Sequence, residues 1–430
     1  MILFKEVIKI QPIFKEQIKM WSDLGFNIPV TEGFYWLDRG IVKAFSPDGI
    51  LHRLYKYKVN DDLTINITKH KEYCDFNPES WEETYKRLKN GLQNKIDESL
   101  NVIKSTLNTY SNYDFWCLTS TGKDSTVVLD LVYKITSNVK VMFNNTTCDA
   151  ADTYRIVKKH SDWIITTPEE GIYNYFDKSN FIPTRFSRAC CSIYKEGQSI
   201  QYFKVHGIDK LIQIMGVRND ESNKRADREY IIHNPKWNDK DWYGLLPIRK
   251  WTSLDVWLYI LHNQLEINNK YRKGYSRVGC SICCPYYTKT TWVLDKYWYP
   301  LAYERWHKIL QEDFLKNSRW QQLNCTVKEY HSCWNGGLVR PEPTKEIIDE
   351  LMKHKNISDY EIARQYFNKT CCECGKNIRQ NNVLAMNMKY LGRNTTEFFC
   401  KKCFKQKFDL SEEKWNEQVN GFKAQGCELF

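Results

Sequence analysis

Between residues 112 and 290 the chain alternates short β-branched and aromatic runs with amphipathic runs, which predicts an α/β fold: a parallel sheet sandwiched by helices. Two further observations bear on its chemistry. A glycine and a lysine sit where the first strand-like run passes into the first helix-like run, and cysteine pairs recur farther along the chain. The implied organisation is an N-terminal extension over 1–108, the α/β domain over 109–300, a helical region over 301–366, and a small cysteine-bounded unit with a charged tail over 367–430.

In the extension, short apolar-aromatic stretches around Phe34–Leu37 and Leu51–Tyr57 precede a long helix predicted from Pro78 to Leu107, with Asn77 as its start. In the α/β domain the strand-like runs are Phe115–Leu118, Val139–Phe143, Trp163–Thr166 and Leu211–Met215. Helix-like segments cover 125–136, 149–160, 194–205 and 252–262. Ligands of such sheets bind beyond the carboxyl ends of the strands. The chemistry is therefore expected around the turn that follows the first strand.

The 430 residues suffice for two or three domains. Sixteen cysteines grouped as adjacent pairs and C-x-x-C units favour metal over disulfide. No apolar run approaches the roughly 20 residues of a membrane span. The first residues, Met1 to Val7, mix charges with apolar side chains and lack a small-residue cleavage site, so a cytoplasmic protein is expected. The net charge of +11 is spread along the chain. It helps attract an anionic nucleotide and makes nucleic acid a candidate partner, although dispersed lysines usually form a solvated surface.

The turn Ser120-Thr121-Gly122-Lys123-Asp124-Ser125 is not a Walker A loop, because Cys117 and Asp124 stand where that loop has a glycine and a Ser or Thr. One reading is a capped strand-to-helix connection with Asp124 or Ser125 as cap. The other is a phosphate cradle, since hydroxyls, a glycine, a cation and free N–H groups at a helix start all suit phosphate. The turn resembles the PP-loop, Ser-Gly-Gly-x-Asp-Ser, of ATP pyrophosphatases and of phosphoadenosine phosphosulfate (PAPS) reductases, with Thr121 in place of the first glycine. The superfamily fold is that of the adenine nucleotide alpha-hydrolases.

Further matches come in family order. Gly216-Val217-Arg218-Asn219-Asp220-Glu221-Ser222-Asn223-Lys224-Arg225 resembles the family's Gly-x-Arg-x-x-Glu-Ser-x-x-Arg segment, whose arginines can grip phosphate or sulfate oxygens. A salt-bridged surface loop is the alternative. Pro247 and Trp251 through Trp257 resemble a segment that reads as mainly structural, with Thr252 or Ser253 capping a helix. Asn145-Thr146 resembles the family's Asp-Thr nucleotide contact; an ordinary polar turn is the other reading. By resemblance, Ser120, Thr121, Gly122, Lys123, Asp124, Ser125, Asn145, Thr146, Gly216, Arg218, Glu221, Ser222 and Arg225 bind the nucleotide, with Lys123, Arg218 and Arg225 acting on the transferring anion. The resemblance implies ATP or PAPS/adenylylsulfate as substrate, with Mg²⁺ a candidate companion.

Thiolates at C-x-x-C converge on one ion or cluster, and four sulfurs suit Zn²⁺ or an iron–sulfur centre. Cys190-Cys191 and the distant Cys280-Ser281-Ile282-Cys283-Cys284 resemble the [4Fe–4S] pattern of adenylylsulfate and PAPS reductases. The resemblance implies Cys190, Cys191, Cys280 and Cys283 as ligands, with Cys284 as a substitute. Cys371, Cys374, Cys400 and Cys403 read as a zinc ribbon, in which metal stabilises a segment with little core of its own. Cys427 near the end of the chain is the candidate for the family's tail nucleophile, which would then need a thiol electron donor. Three functions follow as expectations: sulfonucleotide reduction or sulfur transfer; cleavage of ATP to AMP and pyrophosphate to activate a target such as a nucleic acid; or a non-catalytic nucleotide sensor or nucleic-acid-binding protein.

Overall fold

The computed structural model describes residues 10–60, 63–179, 182–183, 190–221, 228–233, 241–281, 288–316, 370–376, 378, 381–391, 395 and 397–424. The chain divides into two compact units, the first reaching Glu304 and the second starting at Arg305. The described part of the extension belongs to the same unit as the α/β domain.

The extension folds as a five-stranded antiparallel sheet in chain order: β1 (Gln11–Pro12), β2 (Tyr35–Asp38), β3 (Ile41–Phe45), β4 (Leu51–Val59) and β5 (Ile65–Lys69). Charges interrupt the alternation of these strands, which hides them in the sequence. The fold buries two of those charges as a pair, Lys43 Nζ to Asp38 Oδ2 at 2.9 Å. The β2–β3 turn takes left-handed backbone at Arg39 and Gly40 (φ 46° and 84°), and a Cβ on Gly40 would lie 2.7 Å from the Tyr57 carbonyl oxygen. Glycine is required at that approach.

Helix α1 (Lys15–Asp23) follows β1, and the long helix α2 (Trp81–Thr109) follows β5. It starts at Trp81 rather than Pro78 because a capping box forms there. Glu83 N–H donates to Ser80 Oγ at 3.2 Å, and Ser80 N–H donates to Glu83 Oε2 at 2.7 Å.

The second sheet contains β6 (Asp114–Thr119), β7 (Lys140–Asn144), β8 (Ile164–Thr166), β9 (Lys210–Met215), β10 (Ile231–His233) and β11 (Asp241–Leu245). Its order is β10-β11-β9-β6-β7-β8, parallel throughout except for β10 against β11. The helices are α3 (Lys123–Tyr133), α4 (Ala151–Val157), α5 (Ile172–Ser179), α6 (Gly197–Val205) and α7 (Ser253–His262). From β6 the chain goes to β7 and β8 on one side, then returns to β9 on the other. The carboxyl end of β6 therefore opens at the switch in strand order, where such sheets bind ligands.

Packing fixes that opening. Val127, Val128, Leu131 and Val132 of α3 are fully buried, each contributing roughly 1.5–3 kcal/mol. Behind the sheet, Ser99 of α2 accepts Trp251 Nε1–H at 3.0 Å. Thr252 caps α7 in a box with Asp255. Phe14 meets Trp257 edge-on at 6.0 Å, and Ser253 Oγ donates to the Ile10 carbonyl at 2.9 Å, tying the antiparallel sheet to α7.

After α7 come α8 (Asn269–Arg272), α9 (Lys289–Trp298) and α10 (Pro300–Lys316). The rest of the helical region predicted to 366 lies outside the described residues. The second unit carries α11 (Asn381–Leu391), α12 (Lys401–Lys407) and α13 (Glu412–Ala424). Between the two C-x-x-C knuckles the described residues include helix α11. Its buried face of Val383, Leu384, Met386 and Met388 explains the helix. Asn387, also buried, makes two hydrogen bonds to the backbone of Phe399, at 2.8 and 2.9 Å, so the helix braces the second knuckle.

Candidate functional site

Three residues, 120–122, separate β6 from α3. Gly122 stands at the helix N-cap without a side-chain cap bond, so the neutral capped-turn reading with Asp124 or Ser125 as cap does not hold. Thr121 takes the left-handed region (φ 56°), a costly conformation for a β-branched residue. Fully buried Asn268 holds it there, donating to Thr121 Oγ1 at 2.9 Å and to Thr153 Oγ1 at 3.0 Å. Ser125 Oγ donates to the Gly122 carbonyl at 2.9 Å, and Lys123 N–H donates to the Tyr271 hydroxyl at 3.0 Å. Side chains from the start of α3 and from the segment of Asn268 and Tyr271 thus hold the loop in shape.

Gly216, just after β9, lies against the start of α3. A Cβ there would be 2.6 Å from the Asp124 carbonyl carbon and 2.7 Å from the Ser125 nitrogen. This close approach brings Arg218 to the loop. Arg218, 4% exposed, donates through Nε to Asp124 Oδ1 at 2.7 Å and through Nη1 to both oxygens of Asp220 at 2.6 and 2.7 Å. Lys123 Nζ bonds the other Asp124 oxygen at 2.5 Å. Burial lowers the Lys123 pKa. Burial would raise that of Asp124, but the charges of Lys123 and Arg218 outweigh it and hold the carboxyl below its usual range. Burial opposes the charge on Arg218, yet Asp124 and Asp220 raise its pKa. Two cations and two carboxylates form a balanced cluster beside the loop.

The other predicted contacts divide. Glu221 closes a short 3-10 turn, Asn219–Glu221, directly after Arg218. Ser222 and Arg225 lie outside the described residues. Asn145 Oδ1 accepts from Thr147 N–H and the Tyr154 hydroxyl, both at 2.9 Å, which shapes the turn after β7. Buried Thr146 donates its hydroxyl to Asp149 Oδ2 at 2.6 Å. In this structure Thr146 is an internal brace.

That turn also carries Cys148, which the sequence reading left aside. It is 6% exposed, and its carbonyl accepts Ser281 N–H at 2.9 Å, which ties its turn to the segment of Cys280. The signal was available, since Cys148 follows Asn145-Thr146 at a strand's carboxyl end. Cys190 and Cys191 are partly exposed and begin a π-helical turn, Cys191–Lys195, a distortion common at functional sites. Burial raises the Tyr194 pKa, and Glu170, Tyr175, Cys148 and Cys190 add to the rise, so both thiols lie within electrostatic reach of this ring. Lys195 lies within electrostatic reach of Cys280. Cys283 and Cys284 lie outside the described residues. Several thiols flanked by a cationic side chain suit an anionic thiolate cluster, and this donor set fits an iron–sulfur group.

In the second unit Cys371, Cys374, Cys400 and Cys403 lie within 4.8 Å of one another. Cys374 and Cys400 are 3.7 Å apart, which matches the edge of a tetrahedron with metal–sulfur bonds of about 2.3 Å. Cys372 is exposed and stands outside this group. Backbone bonds shape the first knuckle: Cys371 N–H donates to the Lys376 carbonyl at 2.8 Å and Gly375 N–H to the Cys371 carbonyl at 2.9 Å. Cys427 lies outside the described residues. Among the described residues no helix is long and apolar enough to cross a membrane.

Comparison with known proteins finds a match over residues 114–285 to the phosphoadenosine phosphosulfate reductase domain. An uncharacterized protein of Methanocaldococcus jannaschii is 27% identical over 285 residues, covering 63% of this chain and 67% of its own length. A second protein of that organism is 30% identical over 198 residues, covering 45% of this chain; the match spans only 40% of that relative. The adenosine 5'-phosphosulfate reductase of Halalkalibacterium halodurans is 26% identical over 200 residues, covering 43% of this chain and 80% of that protein. The segment that holds loop 120–125, Arg218 and the thiol-bearing turns, residues 114–285, belongs to the phosphoadenosine phosphosulfate reductase family.

Proposed function

We propose that this domain binds an adenylyl nucleotide at loop 120–125 and acts in sulfonucleotide reduction or sulfur transfer beside a [4Fe–4S] cluster held by Cys190, Cys191, Cys280 and Cys283. The convergence of Lys123 and Arg218 on Asp124, from segments far apart in sequence, carries the reading. When bound, the cluster would supply local charge beside the substrate's sulfur. The chain's own groups do the positioning: loop hydroxyls and N–H groups hold phosphate, while Lys123 and Arg218 exchange carboxylate partners for the oxygens of the transferring anion and Arg225 adds its charge. In the reductive reaction a Cys427 thiolate attacks the substrate's sulfur, the S–O bond breaks and the nucleotide leaves. A second thiol donor then releases sulfite and leaves a disulfide. The resemblance to named adenosine 5'-phosphosulfate reductases supports this choice.

A second reading is ATP cleavage to AMP and pyrophosphate, activating a target such as a nucleic acid. The balanced charge of Lys123, Arg218, Asp124 and Asp220 favours it, because a triphosphate facing a neutral cluster calls for Mg²⁺, and two carboxylates suit that ion. The domain boundaries at 108, 300 and 366, the zinc occupancy of the C-terminal thiols and a cytoplasmic location belong to the same proposal.

Anaerobically purified full chain incubated with PAPS, adenylylsulfate or ATP, with and without Mg²⁺, separates the readings. Sulfite from a sulfonucleotide supports the first, and Mg²⁺-dependent pyrophosphate from ATP the second. Tight binding without turnover of any of them leaves the nucleotide sensor. Sulfite formation at an unchanged rate by a Cys427→Ser variant rules out the tail thiol.

A further inference from the structure

The antiparallel sheet of the extension carries a line of hydrogen-bonded side chains that the nucleotide site does not use. Cys74 lies on the segment between β5 and α2, which is tied to the sheet at both ends. His70 N–H donates to the Leu54 carbonyl at 2.8 Å, and Glu79 N–H donates to the Phe45 carbonyl at 2.7 Å. Cys74 Sγ stands 3.4 Å from Nδ1 of His52, on β4. The other ring nitrogen, Nε2, is 3.0 Å from Oγ of Ser46, the residue after β3. Phe76 packs against the imidazole with ring centroids 4.9 Å apart. Both nitrogens of His52 are thus engaged, and its ring is held in place.

The far end of this line sets the order of its protons. Ser46 has one hydroxyl proton and two acceptors in reach, the Asp48 carboxylate and the Ile50 carbonyl at 3.1 Å. Whichever takes it, Ser46 Oγ faces His52 as an acceptor. The bond from Ser46 lowers the Asp48 pKa, which keeps that carboxylate charged. In the neutral ring Nε2 therefore carries the proton, and Nδ1 presents a lone pair to the Cys74 S–H. A nucleophile, a base within hydrogen-bond reach and a third group that orients the base make an activated thiol. Cys74 is only partly buried. Water can satisfy its S–H, so burial does not force the contact with His52, and a small reagent can reach the sulfur.

We propose that Cys74 and His52 form a reactive-thiol site whose substrate is a low-molecular-weight disulfide. The Cys74 sulfur attacks one sulfur of R–S–S–R while its proton passes to His52 Nδ1. The S–S bond breaks, the mixed disulfide Cys74–S–S–R forms, and the departing thiolate takes the proton from the imidazolium. Cys74 is oxidised and the released half is reduced, so the exchange needs no outside electrons. Acyl transfer would call for an oxyanion site as well, whereas attack on sulfur needs only the thiol, its proton acceptor and access. The site depends neither on the nucleotide reading nor on the cluster reading above.

The test uses the reduced full chain with oxidised glutathione as probe, and follows the mixed disulfide at Cys74 over time by mass spectrometry of the peptide that carries it. A synthetic peptide of residues 70–79, which holds the same thiol without His52, sets the reference rate. Cys74 in the chain reacts about tenfold faster than in the peptide. His52→Gln brings the rate down to the reference and leaves nucleotide binding as in wild type. Should that variant fail to fold, Ser46→Ala keeps the imidazole, releases its tautomer and also slows the reaction. A chain rate at or below that of the peptide overturns the proposal, and so does a wild-type rate in whichever variant folds.

Discussion

The chain carries two thiol centres built on opposite plans. In the second unit four sulfurs close within 4.8 Å of one another, on two knuckles separated by one short helix. In the first, the turn of Cys148 is bonded to the segment of Cys280, while Cys190 and Cys191 stand at a separate π-helical turn. The closed set has the geometry of a structural ion. The open set sits beside the switch in strand order, where a ligand has access. Under the proposed function, the same C-x-x-C spacing serves shape in one place and chemistry in the other, depending on what surrounds it.

The sharpest way to break this contrast is at the closed site. Cys403→Ser should abolish zinc retention and render the segment from Thr370 onward protease-sensitive, because structural zinc contributes on the order of 10 kcal/mol or more. Nucleotide binding by the first unit should be unchanged. Full zinc retention, measured by elemental analysis, would remove the structural role.

Next in size is Asp124→Asn. It leaves Lys123 and Arg218 buried without their shared carboxylate, a change costing about 3–5 kcal/mol, read from urea unfolding. Because the folded pKa of Asp124 is lowered, its contribution is complete above the ordinary carboxylate value and is lost as pH falls below it. The acid-side decline of stability below about pH 4 should therefore be shallower in the variant. An equally steep decline would show that the carboxylate does not hold the cluster.

A Cβ at Gly216 meets backbone atoms at 2.6–2.7 Å. Gly216→Ala should cost about 1–3 kcal/mol and weaken nucleotide binding by moving Arg218 away from the loop. Retained affinity in calorimetry would separate Arg218 from the phosphate site. The smallest effect is expected for Thr121→Gly. Relief of the left-handed backbone is offset by loss of the Asn268 bond and by added chain entropy, for a net change within about 1 kcal/mol. A larger loss in thermal unfolding would mean that Asn268 holds the loop through that hydroxyl.

Much of this was legible in the chain itself. The four predicted parallel strands appear within a residue or two, because two-sided burial leaves continuous apolar runs that need no context to be seen. The grouping of Cys371, Cys374, Cys400 and Cys403, without Cys372, followed from knuckle spacing. The antiparallel sheet of the extension was not legible, since Lys43 and Asp38 look like surface residues until they are buried against each other. Nor was α11, whose asparagines read as loop until Asn387 finds the Phe399 backbone.

What the sequence determined alone is local: strand and helix periods, the loop between β6 and α3, the knuckle spacings, and the inventory of thiols and cations. Tertiary structure decided which of these groups meet. It placed Arg218 on Asp124 through the contact at Gly216, turned Thr146 inward, and bonded the turn of Cys148 to the segment of Cys280. Those encounters depend on strand order and on close packing between distant segments, and neither is encoded in any short window of residues.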